Sequence, residues 1–442
     1  MFLSNIIFPA YNLAMQLLSV IKMIFSTFPK RVPVIILLML FSGLTESLGL
    51  GMMVPIIEFF FEERSFEGKS FISQQFIAVI TFFNIKPDLV VLFSVFMLLF
   101  LVKSIVKFIE FTLTFQFIKY YSDKIASNIY HSVAWMKWQR FQEKKHGYYS
   151  SLFVNEMISS ISTLQLSIVI LSESILLLFY LALSLVISVK LTLFVVSFLL
   201  ISFFFFTFFF RYSKKIGIEN QKIRNHFTAS TNEYLNLLKW IKTAGQQSYS
   251  ENMFTQHLHN WTNSQYKIST FTAILPSFFL FFSAIGLSGI CYISLVVFNI
   301  KFSTVLLLLA IFYRALPKFQ IIQQSYQGFL TIYPNLAVIN QFIQQSAAEQ
   351  ESTGLKPFKG LSNSIELKNL SFSYHSKNKF AVTDLSLTCK KNQFTAIIGP
   401  SGSGKSTLID IITGLLEPTK GDILIDNSPL HDYNVSKYRQ KI

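Results

Sequence analysis

The sequence predicts a membrane α-helical bundle, six transmembrane helices with long cytoplasmic extensions, followed by the N-terminal part of an α/β P-loop domain. Three observations carry this. Of 442 residues, 52% are hydrophobic and only 14% charged, and the mean hydropathy is +0.47; a soluble chain is less apolar. The apolar residues gather into six long segments separated by charged stretches. Near the end, Gly399, Pro400, Ser401, Gly402, Ser403, Gly404, Lys405, Ser406 and Thr407 fit the phosphate-loop pattern G-x-x-x-x-G-K-[ST].

Composition narrows the class further. Lys and Arg outnumber Asp and Glu by 38 to 23, a formal charge of +15. On a soluble protein that balance would point to nucleic acid. Here it reads as positive charge on cytoplasmic loops, facing anionic lipid headgroups, and no nucleic-acid partner is expected. The two cysteines, Cys291 and Cys389, form no disulfide framework or metal spacing, which fits a reducing compartment. The 49 Phe residues read as lipid-facing and packing bulk.

Residues 1–28 are apolar, with Lys22 the only charge. With no basic start or small-residue cleavage site, they read as an interfacial helix, not a signal peptide. A transmembrane domain follows over 29–340, with spans at about 32–61, 89–120, 161–189, 191–210, 271–298 and 302–333. A tight turn is expected at Lys190, and Pro317 is expected to interrupt the sixth span. The loop at 120–146 carries Lys124, Lys137, Arg140, Lys144 and Lys145 against Asp123 and Glu143, and the one at 211–242 carries Arg211, Lys214, Lys215, Lys222, Arg224, Lys239 and Lys242 against Glu219 and Glu233. The alternating loops are acidic (Glu62, Glu63, Glu67) or nearly uncharged (Lys190, Lys301). The N-terminus, both basic loops and the C-terminal domain are therefore predicted to be cytoplasmic. Both basic loops have helical periodicity, so spans two to five extend into the cytoplasm. Their tips, near 141–149 and 237–247, are candidate contacts with the C-terminal domain.

Residues 341–363 read as a polar linker. From 364 to 442 the pattern becomes that of a P-loop domain. Strands are expected at 365–374, 385–389 and 422–426, and a buried strand at 394–398 leads into the loop. A helix is expected from Ser406 to Leu416. The loop chemistry has a physical reason. Glycines let backbone N–H groups close around a phosphate without Cβ clashes. A helix N-terminus adds free N–H groups and a favourable dipole. Lys405 can reach terminal phosphates, and the Ser406 hydroxyl can ligate Mg²⁺.

With these residues in view, the chain resembles an ATP-binding-cassette exporter of the half-transporter type over nearly all its length. Phe372, Ser373 and Tyr374 resemble the aromatic A-loop, which implies that Tyr374 stacks on adenine. Residues 399–408 have the family's form of the P-loop, and 415–426 resemble the segment after it. His146 and Gly147, with Ser150 and Ser151, resemble the first coupling helix; 239–249 resemble the second. The stretch 44–49, followed by Pro55, resembles the first span of exporters that flip lipid-linked oligosaccharides. Asn392 and Asn427 stand where glycine is usual, and both are expected as left-handed turn residues.

The resemblance implies ATP and Mg²⁺ as cofactors and an exporter or flippase function. It also implies a homodimer, or a heterodimer with another half-transporter. It further implies membrane lipid and a lipid-linked or amphipathic substrate as partners, and a bacterial inner membrane as location. By the resemblance the 442-residue sequence runs to a point, Ile442, just before the family's Q-loop, so the signature, Walker B and switch motifs do not appear in it and no catalytic residue is assigned. The expectation is that these 442 residues alone do not hydrolyse ATP. A truncated, non-hydrolytic membrane protein is the alternative reading. A membrane-anchored P-loop enzyme such as a kinase is disfavoured by Tyr374 and the six spans.

Ionisable residues inside spans are costly and often functional. Lys103, Lys107 and Glu110 share a helix face, and Glu46, Glu173, Arg314 and Lys318 join them. They form either a cavity binding an anionic head group or internal ion pairs. His257 and His259 read as surface residues.

Overall fold

The computed structural model describes residues 15–26, 28–61, 70–144, 146–300, 302–351, 354–374 and 380–442. The acidic residues Glu62, Glu63 and Glu67, with Lys145 and Lys301, lie outside them, as does the first half of the expected interfacial helix. The chain forms two compact units, Met1–Ile125 with Ser151–Ile339 and Ala126–Ser150 with Asn340–Ile442.

The helices in chain order begin with α1 Met15–Ser26. They continue with α2 Arg31–Gly51, α3 Met53–Phe61, α4 Phe71–Phe82, α5 Leu89–Ala134, α6 Trp138–Glu143 and α7 His146–Ser151. A π-turn at Leu152–Glu156 leads into α8 Met157–Ile187. Then come α9 Val189–Asn236, α10 Leu238–Thr243, α11 Gln247–Tyr292 and α12 Phe302–Ala348. Among the described residues five helical stretches are long and apolar enough to span a membrane. The fourth predicted span lies in α9, where the apolar stretch with described side chains is Val189–Phe205. The 46 residues of α5 make a rod of about 70 Å, more than twice a ~30 Å hydrocarbon core.

Several boundaries differ from expectation, each for a backbone reason. The first span breaks at Met52, because Pro55 has no N–H and its ring crowds the carbonyl of residue 51. The turn between α8 and α9 falls at Ser188, in extended conformation (φ −157°), and not at Lys190. Pro317 does not interrupt α12, which contains both Pro317 and Pro334. Breaking the helix there would expose several backbone groups to lipid, whereas the proline forfeits one bond. The same helix runs to Ala348 and absorbs the start of the expected linker. Helix α4 was not anticipated; Ser70 caps it by accepting from the Ser73 N–H.

In the first unit Leu50, Val54, Tyr180, Leu307 and Ile311 form one core cluster, joining α2, α3, α8 and α12. Met52, Ile56, Ile80 and Leu92 form a second, joining α3, α4 and α5. Helices α9 and α12 approach so closely at Gly217 that a Cβ there would lie 2.1 Å from the Thr331 carbonyl oxygen.

The second unit holds a sheet of four strands among the described residues: β1 Ser364–Phe372, β2 Val382–Lys390, β3 Lys420–Ile425 and β4 Ser428–Pro429. Their order is β2-β1-β3-β4 with every pairing antiparallel. Leu367 sits opposite Leu387 on one side and Ile423 on the other. Helix α13, Lys405–Ile412, and the short α14, Val435–Arg439, pack on this sheet. Leu367, Phe372, Leu408, Ile411, Ile425 and Tyr438 are among the buried core residues. The hydroxyl of Tyr438 donates to the Ile412 carbonyl, and burial pushes its pKa up to about 12.

The buried strand expected at 394–398 is not formed, and Phe394 and Ile398 are almost wholly exposed. A strand needs a ladder partner, and among the described residues none pairs with this segment. The two asparagines behave as predicted: Asn392 has φ 57° and Asn427 φ 64°. Asp426 (φ 49°) and Asn427 make the two-residue turn of the β3–β4 hairpin, which requires positive φ at both positions.

Candidate functional site

The predicted phosphate loop lies between residue 398 and α13. Gly402 (φ 82°) and Gly404 (φ 86°) adopt left-handed conformations. A Cβ on Gly404 would approach the Ala381 carbonyl oxygen to 2.5 Å, so only glycine fits there. Ser401, Gly402 and Ser403 are exposed, as is the hydroxyl-bearing Ser406, while Thr407 is buried. The Lys405 ammonium donates to the carbonyls of Gly399 (2.9 Å) and Pro400 (2.7 Å). It folds back over its own loop and is held there by neutral partners. Left-handed glycines, a cation with only neutral partners and an accessible hydroxyl at a helix start suit a phosphate with a hard metal ion.

Tyr374 comes to the same place from β1. Its hydroxyl lies 3.0 Å from the Thr407 hydroxyl, and its ring packs edge-on to Phe372 at 4.9 Å. The chain thus brings together Tyr374 and residues 399–407, far apart in sequence. It leaves the membrane charges elsewhere, in the first unit.

The most informative neighbours were not anticipated as such. The short helix of the first basic loop is α6, several residues before His146; residues 146–151 instead form α7, the start of the return helix. Trp138 of α6 packs against the sheet core. The Gln139 side-chain amide donates to the Tyr374 carbonyl at 2.8 Å, and Lys137 pairs with Glu417 at 2.9 Å. Just before α6, Met136 bridges to Gln350, the Lys137 N–H donates to the Glu349 carbonyl, and the Glu351 N–H donates to the Trp135 carbonyl. Glu351 is gripped by Arg439 through two bonds of 2.9 and 3.2 Å. The same guanidinium donates to the carbonyls of Thr413 (3.1 Å) and Gly414 (2.6 Å) at the end of α13. Both ends of the P-loop helix are therefore tied to α6 or to residues 349–351, which pair with the segment before it. No local pattern marked Arg439, because its partners lie 25 to 88 residues away in sequence.

Asp426 anchors the far side of this unit. Loss of water favours its protonated form, but the backbone N–H groups of Ser362, Asn363 and Ser364 outweigh that and hold its pKa below the usual carboxylate range.

The second basic tip, 237–247, contains α10, and Trp240 on it is 72% exposed. In the first unit the charged side chains pair. Lys103 meets Glu46 at 2.7 Å, Lys107 meets Glu110 at 2.8 Å, Lys318 meets Glu173 at 3.1 Å and Arg314 meets Glu46 at 3.8 Å. The ion-pair arrangement is thus the one formed. His257 faces the His226 ring at 4.8 Å and not His259. No group of three metal-ligating side chains exists among the described residues.

Comparisons with known proteins agree with this layout. A family model described as the ABC transporter transmembrane region matches residues 32–316, and one described as ABC transporter matches 382–442. The second match implies ATP binding. The heterocyst differentiation ATP-binding protein HepA of Nostoc sp. is 26% identical over 216 residues, 49% of this chain and 35% of that protein. The ATP-dependent lipid A-core flippase of Pseudomonas savastanoi is 29% identical over 238 residues, 52% of this chain and 39% of that protein. The chain thus spans between a third and two fifths of the length of these relatives. A solved bacterial Atm1-family ABC exporter with ATP bound shares the fold. Its TM-score is 0.66 at 14% identity, over 93% of this chain and 71% of that one. The chain belongs to the ABC transporter family and is a multi-pass membrane protein.

Proposed function

As a member of that family the chain is, we propose, a subunit of an ATP-driven exporter or flippase. Its cargo is lipid-linked or amphipathic, and it works as a homodimer or as a heterodimer with another half-transporter. Residues 29–340 form the membrane domain, 341–363, which begins as the last turns of α12, the linker, and 364–442 the nucleotide-binding part. The backbone of 399–407 cradles the ATP phosphates, and Lys405 turns from the Gly399 and Pro400 carbonyls toward them. Tyr374 stacks on the adenine, and Ser406 holds Mg²⁺, which neutralises phosphate charge when bound. The N-terminus and the nucleotide-binding part face the cytoplasm of a bacterial inner membrane. Similarity to a protein named as a lipid A-core flippase supports an amphipathic cargo.

One observation carries the coupling. The Gln139 amide on α6 bonds the Tyr374 carbonyl, and the Tyr374 hydroxyl meets Thr407 at the P-loop helix. Helix α6 follows directly on α5, which contains the second apolar segment. A movement of Tyr374 onto adenine therefore pulls on α6.

Binding of a fluorescent ATP analogue to the purified full-length protein tests the site. Lys405→Ala is expected to weaken binding at least about tenfold. Tyr374→Ala should cost about 1–3 kcal/mol by loss of base stacking. Ser406→Ala should blunt the Mg²⁺ dependence alone. Undiminished binding by Lys405→Ala would overturn the assignment.

A further inference from the structure

We propose that the seam between the polar halves of α9 and α11 binds a phosphate-bearing anion, the head group of an anionic phospholipid. A seam between paired helices is ordinarily apolar and close-packed. Here α11 presents His257, Asn260, Ser264 and Lys267 at three- and four-residue spacing, with no apolar residue among them. Facing them on α9 are Tyr212, Ile216, Glu219, Ile223 and His226. Between the two rows lies an open cavity of 660 Å³, within the size range of small-molecule sites.

Aromatic pairs bound this seam at both ends. Tyr212 and Phe271 meet at 4.8 Å at one end, and Phe227 and Phe254 at 5.7 Å at the other. The gap is therefore framed and not a frayed helix pair. Its charges favour an anion: Lys222 and Lys267 stand against Glu219 as the one carboxylate in the lining. His226 and His257 are 4.8 Å apart and add ring nitrogens, while Asn260 and Asn263 add amide donors. Trp261 keeps a buried indole N–H with no hydrogen-bond partner.

The position selects a lipid. Tyr212 follows the fourth apolar segment within two residues, and Phe271 begins the fifth. The Tyr212 end of the cavity thus sits at the cytoplasmic membrane surface in the placement proposed above, where a tyrosine belongs. A phospholipid can keep its acyl chains in the bilayer and lay its phosphate among Lys267, Lys222 and the imidazoles. None of these residues is used by the nucleotide site.

The test uses the full-length protein in nanodiscs of phosphatidylcholine titrated with phosphatidylglycerol, and native mass spectrometry counts retained anionic lipid. No ATP is present, so the outcome is independent of the transport reading. Lys222→Gln with Lys267→Gln is expected to weaken retention at least about tenfold. Lys214→Gln with Lys215→Gln removes the same charge from the same stretch outside the cavity and is expected to leave retention unchanged. Equal retention by wild type and the cavity variant, or equal loss in both variants, would overturn the proposal. So would thermal stabilisation by inorganic phosphate in phosphatidylcholine alone without a phosphatidylglycerol effect, which would assign the cavity to a soluble anion.

Discussion

Glu46 shows what a single side chain holds in this chain. It is 2% exposed and receives the Tyr180 hydroxyl at 2.6 Å and the Lys103 ammonium at 2.7 Å. Glu46→Gln would strand Lys103, whose side chain is only 21% exposed. Thermal melts in detergent should show destabilisation of about 3–5 kcal/mol. Its ionisable character inside a span was plain from sequence; its partners were not, because they lie on other helices and pairing is a tertiary fact. Asp426 gives a pH prediction. Its folded pKa is held below the unfolded value, so its contribution is present above the ordinary carboxylate range and lost as pH falls through the folded pKa. Asp426→Asn should therefore flatten the loss of stability below about pH 4, measured by acid titration of tyrosine fluorescence.

At the scale of elements, local chemistry was legible where it decides the outcome alone. Left-handed Asn392 and Asn427, the strands flanking the loop and the helix after Lys405 all follow from local pattern. The misses are places where neighbours decide. Residues 394–398 have the composition of a buried strand, yet composition cannot supply a ladder partner. Pro317 has the chemistry of a helix breaker, yet an apolar surrounding makes breaking costlier than keeping. The seat of α6 depends on strand-like pairing of 135–137 with 349–351, a separation no periodicity reports. Two element-level predictions follow from packing. Gly217→Val would drive α9 from the Thr331 carbonyl and cost about 1–3 kcal/mol by thermal melting. Glu351→Ala would release Arg439 from the segment 349–351 paired beside α6; ATP-analogue binding should persist while the response of the membrane helices to ATP weakens.

For the whole molecule, apolar segments and one loop motif predicted a membrane protein with a P-loop domain, since both are properties of contiguous sequence, and the resemblance carried by Tyr374, 399–408 and 415–426 pointed on to ABC transporters. The ties around the loop within the second unit were not readable, since they run through Gln139, Tyr374, Glu351 and Arg439, four side chains from four separate stretches. The central claim is that nucleotide at 399–407 moves the membrane helices through this seat. It is tested by maleimide labelling of the full-length protein with Cys291→Ser, Cys389→Ser and Tyr313→Cys, a position 71% exposed on α12. ATP with Mg²⁺ is predicted to change the labelling rate several-fold. Lys405→Ala should abolish the change, and Gln139→Ala should reduce it with nucleotide binding intact. An ATP response that survives Lys405→Ala, or one untouched by Gln139→Ala, would contradict the account.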